Sequence, residues 1–287
     1  MSLIRFSTVM PLYQNLEALY RERKKYLGNQ CGLVPTMGAL HRGHLALIEQ
    51  AQIENERVWV TIFVNPTQFN NALDLHAYPV SLQEDVDAIH KINPTINIFA
   101  PSIRDMYPDQ VHATSHAFNG LDTVMEGADR PDHFNGVITI VSKLFEVIKP
   151  NRAYFGEKDF QQLSIIKNWV KTANIPTTIV PCPIIREANG LAMSSRNELL
   201  TKTTRAEAGF IYKTLKHCAS NGMKKAAIYS YIKNAFAKHP KFTLHYALCV
   251  DETSLKEVDE VNPQEKQRIF VATSVEGVRL IDNIVLK

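Results

Sequence analysis

Residues 33–45 read L-V-P-T-M-G-A-L-H-R-G-H-L, and this stretch decides the fold expected for the chain. A short apolar strand over 31–35 leads into a Thr-Met-Gly turn, and His41 and His44 then open an amphipathic helix with Gly43 between them. Free N–H groups of the strand end, the turn and the helix N-terminus, together with the positive end of the helix dipole, attract phosphate. Both imidazoles lie on one face of the first helical turn, and Gly43 lets a ligand approach the backbone. The stretch therefore predicts a nucleotide site.

Two other interpretations of the histidine pair stay open. An H-x-x-H spacing is compatible with a zinc site, and single histidines are often ordinary structural residues. No Glu stands between the two histidines to serve as a metalloprotease base, and no neighbouring Cys or His offers a third ligand. These absences weigh against a metal site.

Length and composition describe an ordinary globular chain. Its 287 residues suffice for one large or two moderate domains, and 45% of them are hydrophobic and 21% charged. A net charge of +3 gives no electrostatic reason to expect nucleic acid or an anionic membrane as a partner. The apolar runs fall far short of the ~20 residues that span a bilayer. The start of the chain, M-S-L-I-R-F-S, has no signal-peptide pattern.

The four cysteines predict a cytoplasmic protein with reduced thiols. They are far apart, and none of them belongs to a C-x-x-C motif. Cysteines of this kind are usually structural in a reducing compartment. The residues concerned are Cys31, Cys182, Cys218 and Cys249.

Strand-like runs alternate with helical patterns through the first two-thirds of the chain. That order predicts βαβ units and a Rossmann-like α/β fold with a doubly wound parallel sheet. Ligands bind beyond the carboxyl ends of the strands in such sheets, where the Thr-Met-Gly turn and the N-P-T-Q-F segment at 65–69 lie. The predicted strands are 31–35, 58–64, 96–101, 152–155 and 177–181, and the predicted helices are 44–55, 81–92, 136–149 and 159–172.

The order of predicted helices and strands changes beyond about Arg186. Helices followed by strands predict a smaller α+β domain over 186–287, after a nucleotide-binding domain over 1–185. The polar stretch 70–78 is predicted to form a mobile lid over the site. The C-terminal domain is predicted to contain helices at 204–220 and 223–239 and strands at 242–251, 268–273 and 279–285.

Two further segments carry residue types suited to phosphate chemistry. In G-E-K-D-F-Q-Q at 156–162, Asp159 occupies a helix N-cap position and Lys158 projects from the junction, although a solvated loop is the alternative. In R-E-A-N-G-L-A-M-S-S-R-N at 186–197, hydroxyls beside an arginine suit a transferring phosphate, although Ser-Ser-Arg also fits a plain helix cap. Both segments are therefore candidates for the same site.

Two glutamines point to the second substrate of the site. Gln68 follows the second predicted strand and Gln162 lies one turn after Asp159, so the two amides are expected to face each other across the pocket. Neutral amides suit a small hydroxy acid, because a pocket for a phosphorylated substrate normally brings more cations. For a metal ion that enters with the bound nucleotide, Glu84 or Asp85 is expected as an outer contact, while the nucleotide's triphosphate supplies the main ligands.

Taken in order, five segments resemble the pantothenate synthetase (pantoate–β-alanine ligase) family of the nucleotidyltransferase superfamily, and R-L-I-D-N at 279–283 extends the resemblance to the C-terminus. The resemblance implies an ATP-dependent ligase that joins pantoate and β-alanine to pantothenate through a pantoyl adenylate, releasing AMP and pyrophosphate. It also implies Mg²⁺ and a homodimer. The segments are P-T-M-G-A-L-H-R-G-H at 35–44, F-V-N-P-T-Q-F at 63–69, R-P-D-H-F-N-G at 130–136, F-G-E-K-D-F-Q-Q at 155–162 and R-E-A-N-G-L-A-M-S-S-R-N at 186–197.

The resemblance also implies roles for individual residues. His44 would be the proton donor, and Gln68 and Gln162 would hold pantoate, with Gln68 also near β-alanine. Two positions depart from the family pattern: Val80 replaces a common Arg, and Asn189 replaces the usual Asp, which concerns lid ordering and a local turn. The ATP site would be lined by Met37, Gly38, Ala39, Leu40, His41, Arg42, Gly43, His44, Gly156, Glu157, Lys158, Asp159, Ile185, Met193, Ser194, Ser195 and Arg196.

The mechanism expected for such a ligase needs no base in its first step. Pantoate's carboxylate is ionised at neutral pH, so catalysis amounts to in-line positioning and neutralisation of phosphoryl charge by charged donors. The rivals are a nucleotidyltransferase that keeps the nucleotide in its product and a non-catalytic ATP- or RNA-binding module. The paired glutamines favour the ligase. The catalytic donors are predicted to be His41, His44, Lys158, Ser194, Ser195 and Arg196.

Overall fold

Six parallel strands form the larger of two sheets in this computed structural model, which describes residues 11–26, 30–70, 72–262 and 264–286. The strands are β1 (Leu12–Tyr13), β2 (Cys31–Thr36), β3 (Arg57–Ile62), β4 (Asn97–Phe99), β5 (Arg152–Gly156) and β6 (Thr178–Cys182). They lie in the order β1-β4-β3-β2-β5-β6, so the direction of winding reverses between β2 and β5. The doubly wound parallel sheet predicted from the sequence is confirmed, and its switch point lies between these two strands.

Helices cover both faces of this sheet because its central strands are apolar on both sides. Leu33 and Val34 of β2 are completely buried, and each belongs to a different one of two hydrophobic clusters. The helices are α1 (Leu16–Arg23), α2 (Arg42–Glu54), α3 (Ala72–Ala77), α4 (Leu82–Ile92), α5 (Ile103–Met106), α6 (Met125–Asp129), α7 (His133–Ile148) and α8 (Phe160–Thr172). Helix α7 is buried along most of its length, which explains why its sequence is apolar nearly all round.

The smaller sheet is antiparallel and is formed by β7 (Thr243–Asp251), β8 (Gln267–Val275) and β9 (Val278–Val285), in that order. Helices α9 (Lys202–Glu207), α10 (Phe210–Ser220) and α11 (Lys225–Ala237) precede it along the chain. Residues between 191 and 286 form a hydrophobic cluster of their own, to which α10, α11 and all three strands contribute. The expected smaller α+β part is therefore present.

One predicted helix, 204–220, is wrong as a single element because it divides into α9 and α10 at Ala208 and Gly209. The side-chain amide of Asn189 donates to the carbonyl oxygens of Arg205 and Ala206 at 2.8 and 3.2 Å, holding the end of α9 against the preceding loop. An aspartate has no N–H to make these bonds. The departure from the family pattern at position 189 thus has a structural role.

The segment predicted to be a lid contains α3, and position 71 lies outside the described residues. Tyr78 at its end is 9% exposed and packs edge-on against Phe69, with ring centroids 5.8 Å apart. Val80 is 68% exposed, so the second departure from the family pattern lies at the surface. Among the described residues, no helix is both long and apolar enough to cross a membrane.

Candidate active site

A cavity of about 240 Å³ opens at the carboxyl ends of β2 and β5, at the switch point of the larger sheet. Its wall combines residues from the turn after β2, the β5–α8 junction and the loop after β6. The sequence-predicted residues that line it are Met37, His41, Gly43, His44, Gln68, Gly156, Lys158, Asp159, Gln162, Ile185, Met193, Ser194, Ser195 and Arg196. Gln68 and Gln162 both line this one cavity, as the sequence predicted.

Several residues assigned to the ATP site by resemblance do not line this cavity. Arg42 is exposed and pairs with Glu49 at 2.6 Å on the surface of α2. Glu157 contacts Arg268 of β8 at 3.4 Å. The others, Gly38, Ala39 and Leu40, form the turn behind the cavity wall.

Asp85 of α4 holds the turn that follows β2. Its carboxylate oxygens accept the backbone N–H groups of Ala39 and Leu40 at 2.9 and 2.7 Å, and Thr36 Oγ1 accepts that of Gly38 at 3.2 Å. The expectation of free N–H groups in this turn is therefore wrong for Gly38, Ala39 and Leu40, because the side chains of Thr36 and Asp85 accept them. Neither Glu84 nor Asp85 lines the cavity. A metal contact from this pair stays a prediction, and both Asp85 oxygens already have backbone partners.

His41 and His44 form a reciprocal cap at the start of α2. His41 Nδ1 accepts the backbone N–H of Gly43 at 3.1 Å, and His44 Nδ1 accepts that of His41 at 3.4 Å. The two rings stack with centroids 4.0 Å apart. A Cβ at position 43 would lie 2.8 Å from His41 Cε1, so glycine is required here for the His41 ring. The sequence suggested a different reason for Gly43, namely that a ligand can approach the backbone there. That reason stays a prediction.

Both histidines are neutral hydrogen-bond donors in this geometry. Burial lowers the pKa of His41 to about 4, with Lys158 adding to the effect, and burial together with His41 lowers the pKa of His44 to about 3. Because each Nδ1 accepts a backbone N–H, the hydrogen-bond network assigns the proton to Nε2. The prediction that these rings act as charged donors is corrected: each offers a neutral Nε2–H at the cavity wall.

Acidification from pH 7.5 to 5.5 is expected to lower the free energy of unfolding by about 1 kcal/mol for each of His41 and His44. Their folded pKa values of about 4 and 3 keep both rings neutral in this window, whereas the unfolded chain takes up protons near the ordinary value of 6.5. The unfolded state binds more protons, so stability falls as the pH falls. Urea unfolding at the two pH values measures this. His44→Gln, which cannot titrate, should show a shallower dependence, and parallel curves would contradict the assignment.

Lys158 enters the cavity from a short 3₁₀ turn (Glu157–Asp159) between β5 and α8. Its Nζ lies 3.4 Å from Asp159 Oδ1, and its side chain is 21% exposed. Desolvation raises the pKa of Asp159, but Lys158 and Arg196 outweigh this effect and hold the pKa below its ordinary value. This junction forms part of the cavity wall, which favours a role in the site over the solvated loop that the sequence left open, although the Asp159 side chain is 48% exposed.

The 194–196 segment packs directly against the turn after β2. Ser195 Oγ donates to the carbonyl oxygen of Ala39 at 2.9 Å, and Ser194 Oγ accepts the backbone N–H of Arg196 at 3.3 Å as the cap of a 3₁₀ helix (Ser195–Leu199). The plain capping interpretation thus holds for Ser194, which also lines the cavity. Because the Ser195 proton is engaged, this hydroxyl joins the two walls of the cavity.

Residues without a role in the sequence analysis hold Gln68 in place. His133 Nδ1 donates to the carbonyl oxygen of Gln68 at 2.7 Å, and Arg130 Nη2 donates to the same oxygen at 3.4 Å. Asn65, 1% exposed, donates to Gln68 Oε1 at 3.3 Å and to the carbonyl oxygen of Gly136 at 3.0 Å. Asn65 lies in the F-V-N-P-T-Q-F segment, and Arg130 and His133 lie in R-P-D-H-F-N-G. The polar side chains of these two segments are the signal in the sequence that could have identified them.

The strand order and the position of the cavity define the class of this chain, a doubly wound α/β protein with its site at a topological switch point. A sequence model of the pantoate-β-alanine ligase family matches residues 8–285. A pantothenate synthetase from Flavobacterium psychrophilum is 46% identical over 268 residues, covering 92% of this chain and 95% of the relative. The chain belongs to the pantoate–β-alanine ligase family, which confirms the resemblance read from the sequence.

Solved structures agree with this membership. A pantothenate synthetase from Thermus thermophilus superposes with a TM-score of 0.89 at 37% identity, covering 96% of this chain and 99% of that one. A pantoate-β-alanine ligase from Francisella tularensis, complexed with β-γ ATP and β-alanine, gives a TM-score of 0.80 at 37% identity, with 96% and 97% covered. The fold of this chain is therefore that of these ligases.

Proposed function

We propose that this chain joins pantoate and β-alanine into pantothenate at the expense of ATP, through a pantoyl adenylate. Family membership supports the reaction. The observation that carries the proposal is the cavity itself, in which two neutral amides, Gln68 and Gln162, share one space with His41, His44 and Lys158. Amides suit the hydroxy acid, and imidazole N–H and ammonium groups suit the triphosphate.

In the first step, a carboxylate oxygen of pantoate attacks the α-phosphorus of ATP. The new O–P bond forms as the bond to the bridging oxygen breaks, and pyrophosphate leaves with the electron pair. In this proposal the neutral Nε2–H groups of His41 and His44 donate to phosphate oxygens, so His44 is a hydrogen-bond donor. Lys158, Ser194 and Arg196 offset the charge on the phosphoryl group and the pyrophosphate.

In the second step, the neutral amine of β-alanine attacks the acyl carbon of the adenylate. The C–N bond forms, the C–O bond to AMP breaks, and the phosphate of the departing AMP takes up the proton that the amine gives up. Gln68 is proposed to hold both organic substrates because it is fixed at two points. Arg130 and His133 hold its main-chain carbonyl group, and Asn65 holds its side-chain amide oxygen. Apart from His133, the lining from α7 is apolar, with Val137 and Ile140 among its residues, which suits a site that keeps water from the anhydride.

Mg²⁺ is proposed to enter with ATP, held by phosphate oxygens. Among the described residues, no group of three His, Cys, Asp or Glu side chains could hold a metal ion. The chain's own donor set therefore does not fit a dedicated magnesium cage. No step of the proposed mechanism depends on one.

The domain boundary, the oligomeric state and the cellular location are each proposed for a different reason. A boundary between 1–185 and 186–287 is supported by the hydrophobic cluster that residues 191 to 286 form among themselves. A homodimer is proposed because the resemblance to the family implies one. A cytoplasmic location is supported by four free thiols, whose pKa values burial raises to about 11.

The test is release of AMP from ATP and Mg²⁺, with pantoate and β-alanine omitted in turn. We expect AMP to require both organic substrates, and labelled pyrophosphate to exchange into ATP with pantoate alone. AMP release that ignores β-alanine would instead assign the chain to another adenylylating activity. ATP binding without any turnover would make it a binding module.

A further inference from the structure

Asn283 of β9 lies where the smaller sheet meets the junction between β5 and α8. It is 1% exposed, and its Nδ2 donates to the carbonyl oxygens of Glu157 and Lys158 at 3.0 and 2.9 Å. These carbonyl groups belong to the 3₁₀ turn from which the Lys158 side chain enters the cavity. One amide of the C-terminal sheet therefore fixes the backbone that carries this lysine.

Arg268 of β8 sets the orientation of that amide. Its Nη1 donates to Asn283 Oδ1 at 2.5 Å, and its guanidinium is held by Glu252 at 2.9 Å and stacks 4.0 Å from the centre of the Phe160 ring. Because the amide oxygen has a donor partner, the NH₂ group must face the two carbonyl groups. Both hydrogens and the oxygen of Asn283 are thus engaged in a buried position, which makes the geometry rigid.

We propose that Asn283 is a positioning residue for adenylate formation: it holds the 157–158 backbone so that the Lys158 ammonium group faces the phosphates of ATP. The inference rests on the role proposed above for Lys158. Its neighbour Asp282 supports the same arrangement, because its two carboxylate oxygens pair with Arg186 at 2.6 and 2.9 Å at the base of the 186–197 loop. Two adjacent residues of β9 thereby hold two walls of the cavity.

A purely structural role for Asn283 is the alternative, and Gln267 of β8 provides a matched control for it. Gln267 is also 1% exposed, donates to the carbonyl oxygen of Glu260 at 3.3 Å and accepts the backbone N–H of Asn262 at 2.9 Å. Its amide is therefore as buried as that of Asn283, but it holds a surface loop of the smaller sheet. Neither Gln267 nor its partners line the cavity.

Asn283→Asp places a carboxylate oxygen against two carbonyl oxygens. We expect kcat for pantoate-dependent pyrophosphate exchange to fall on the order of 10- to 100-fold, with KM for pantoate unchanged, because a misplaced charge costs rate more than binding. Gln267→Glu makes the same chemical change and should lower the midpoint of urea unfolding with kcat near that of the unsubstituted enzyme. Equal kcat losses in the two variants, or no loss in Asn283→Asp, would overturn the proposal.

A double-mutant cycle with Lys158→Ala separates positioning from independent effects. In the Lys158→Ala background, Asn283→Asp should cause no further loss of exchange, because no ammonium group is left to position. Losses that multiply would overturn this proposal alone. Near-normal exchange in Lys158→Ala by itself would overturn the role proposed for Lys158, and this inference with it.

Asn283→Ser keeps the test decisive if the aspartate variant does not fold. A serine hydroxyl can donate to only one of the two carbonyl oxygens, so kcat should fall below that of the unsubstituted enzyme, and the same cycle with Lys158→Ala applies. A serine variant with full kcat in a folded enzyme would overturn the proposal.

Discussion

Lys158→Ala is expected to lower kcat for pantoate-dependent pyrophosphate exchange by about 10²–10³-fold while the protein stays folded. The lysine lines the cavity, and its Nζ lies 3.4 Å from Asp159 Oδ1. In the proposed first step, its ammonium group offsets the charge that builds up on the phosphoryl group and on the departing pyrophosphate. Water admitted by the truncation cannot replace it, because water dipoles must reorganise during the reaction and a fixed charge need not.

Two kinds of control separate the charge of Lys158 from the bulk of its side chain. Lys171→Ala changes an exposed lysine near the end of α8, the helix that follows the turn carrying Lys158, and should leave exchange unaltered. Lys158→Met keeps most of the length without the charge and should lose as much activity as alanine. Lys158→Arg restores a charge of different shape and should recover only part of it. Near-normal exchange in both uncharged variants would contradict the assignment.

The strand, turn and helix around 33–45 were predictable because their signals are local. An apolar run, a glycine turn and a polar N-cap follow one another within a few residues, and the structure places β2 and α2 there. The parallel sheet was predictable in the same way, because strand-like runs and helical patterns alternate along the chain. Its switch point then determined where the site had to lie, which is why Gln68, Lys158 and Ser194 could be assigned to one cavity before any contact was known.

The supports of that cavity were not predictable, because they come from distant parts of the chain. Asp85 reaches a turn 45 residues away, and Asn283 reaches the backbone of Lys158 across 125 residues. In the sequence, a carboxylate in the first turn of a helix looks the same whether it meets a metal ion or a backbone N–H. Only the packing of α4 against the turn after β2 distinguishes the two.

The charge state of the histidine pair was unpredictable for a related reason. The ordinary pKa of an imidazole lies near neutrality, so its environment decides whether it is a cation. His41 and His44 are both desolvated, and each also has a positive or ionisable neighbour that opposes protonation. Burial of this kind results from the whole fold, while the H-x-G-H spacing reveals only that the rings are close together.

Gly136→Ala is expected to lower the free energy of unfolding by about 1–3 kcal/mol and to raise KM for pantoate, since it forces two backbone segments apart. Gly136 lies in the first turn of α7, where an added Cβ would overlap the carbonyl oxygen of Thr67 and lie 2.7 Å from the backbone nitrogen of Gln68. Neither obstacle is a flexible side chain that can turn away. The Pro66–Gln68 turn must therefore move, and the Gln68 side chain moves with it.

The added methyl group also disturbs a second contact of the same turn. Asn65 donates to the carbonyl oxygen of Gly136 at 3.0 Å while it holds Gln68 Oε1, so a shift of α7 acts on the Gln68 amide through two routes. Gly222→Ala is the control: nothing lies within 4 Å of its added Cβ, and its φ of +55° costs about 1 kcal/mol of strain without touching the site. Urea unfolding and the pantoate dependence of exchange measure both effects. A Gly136→Ala enzyme that loses stability but keeps its KM would contradict the placement of Gln68 in the pantoate site.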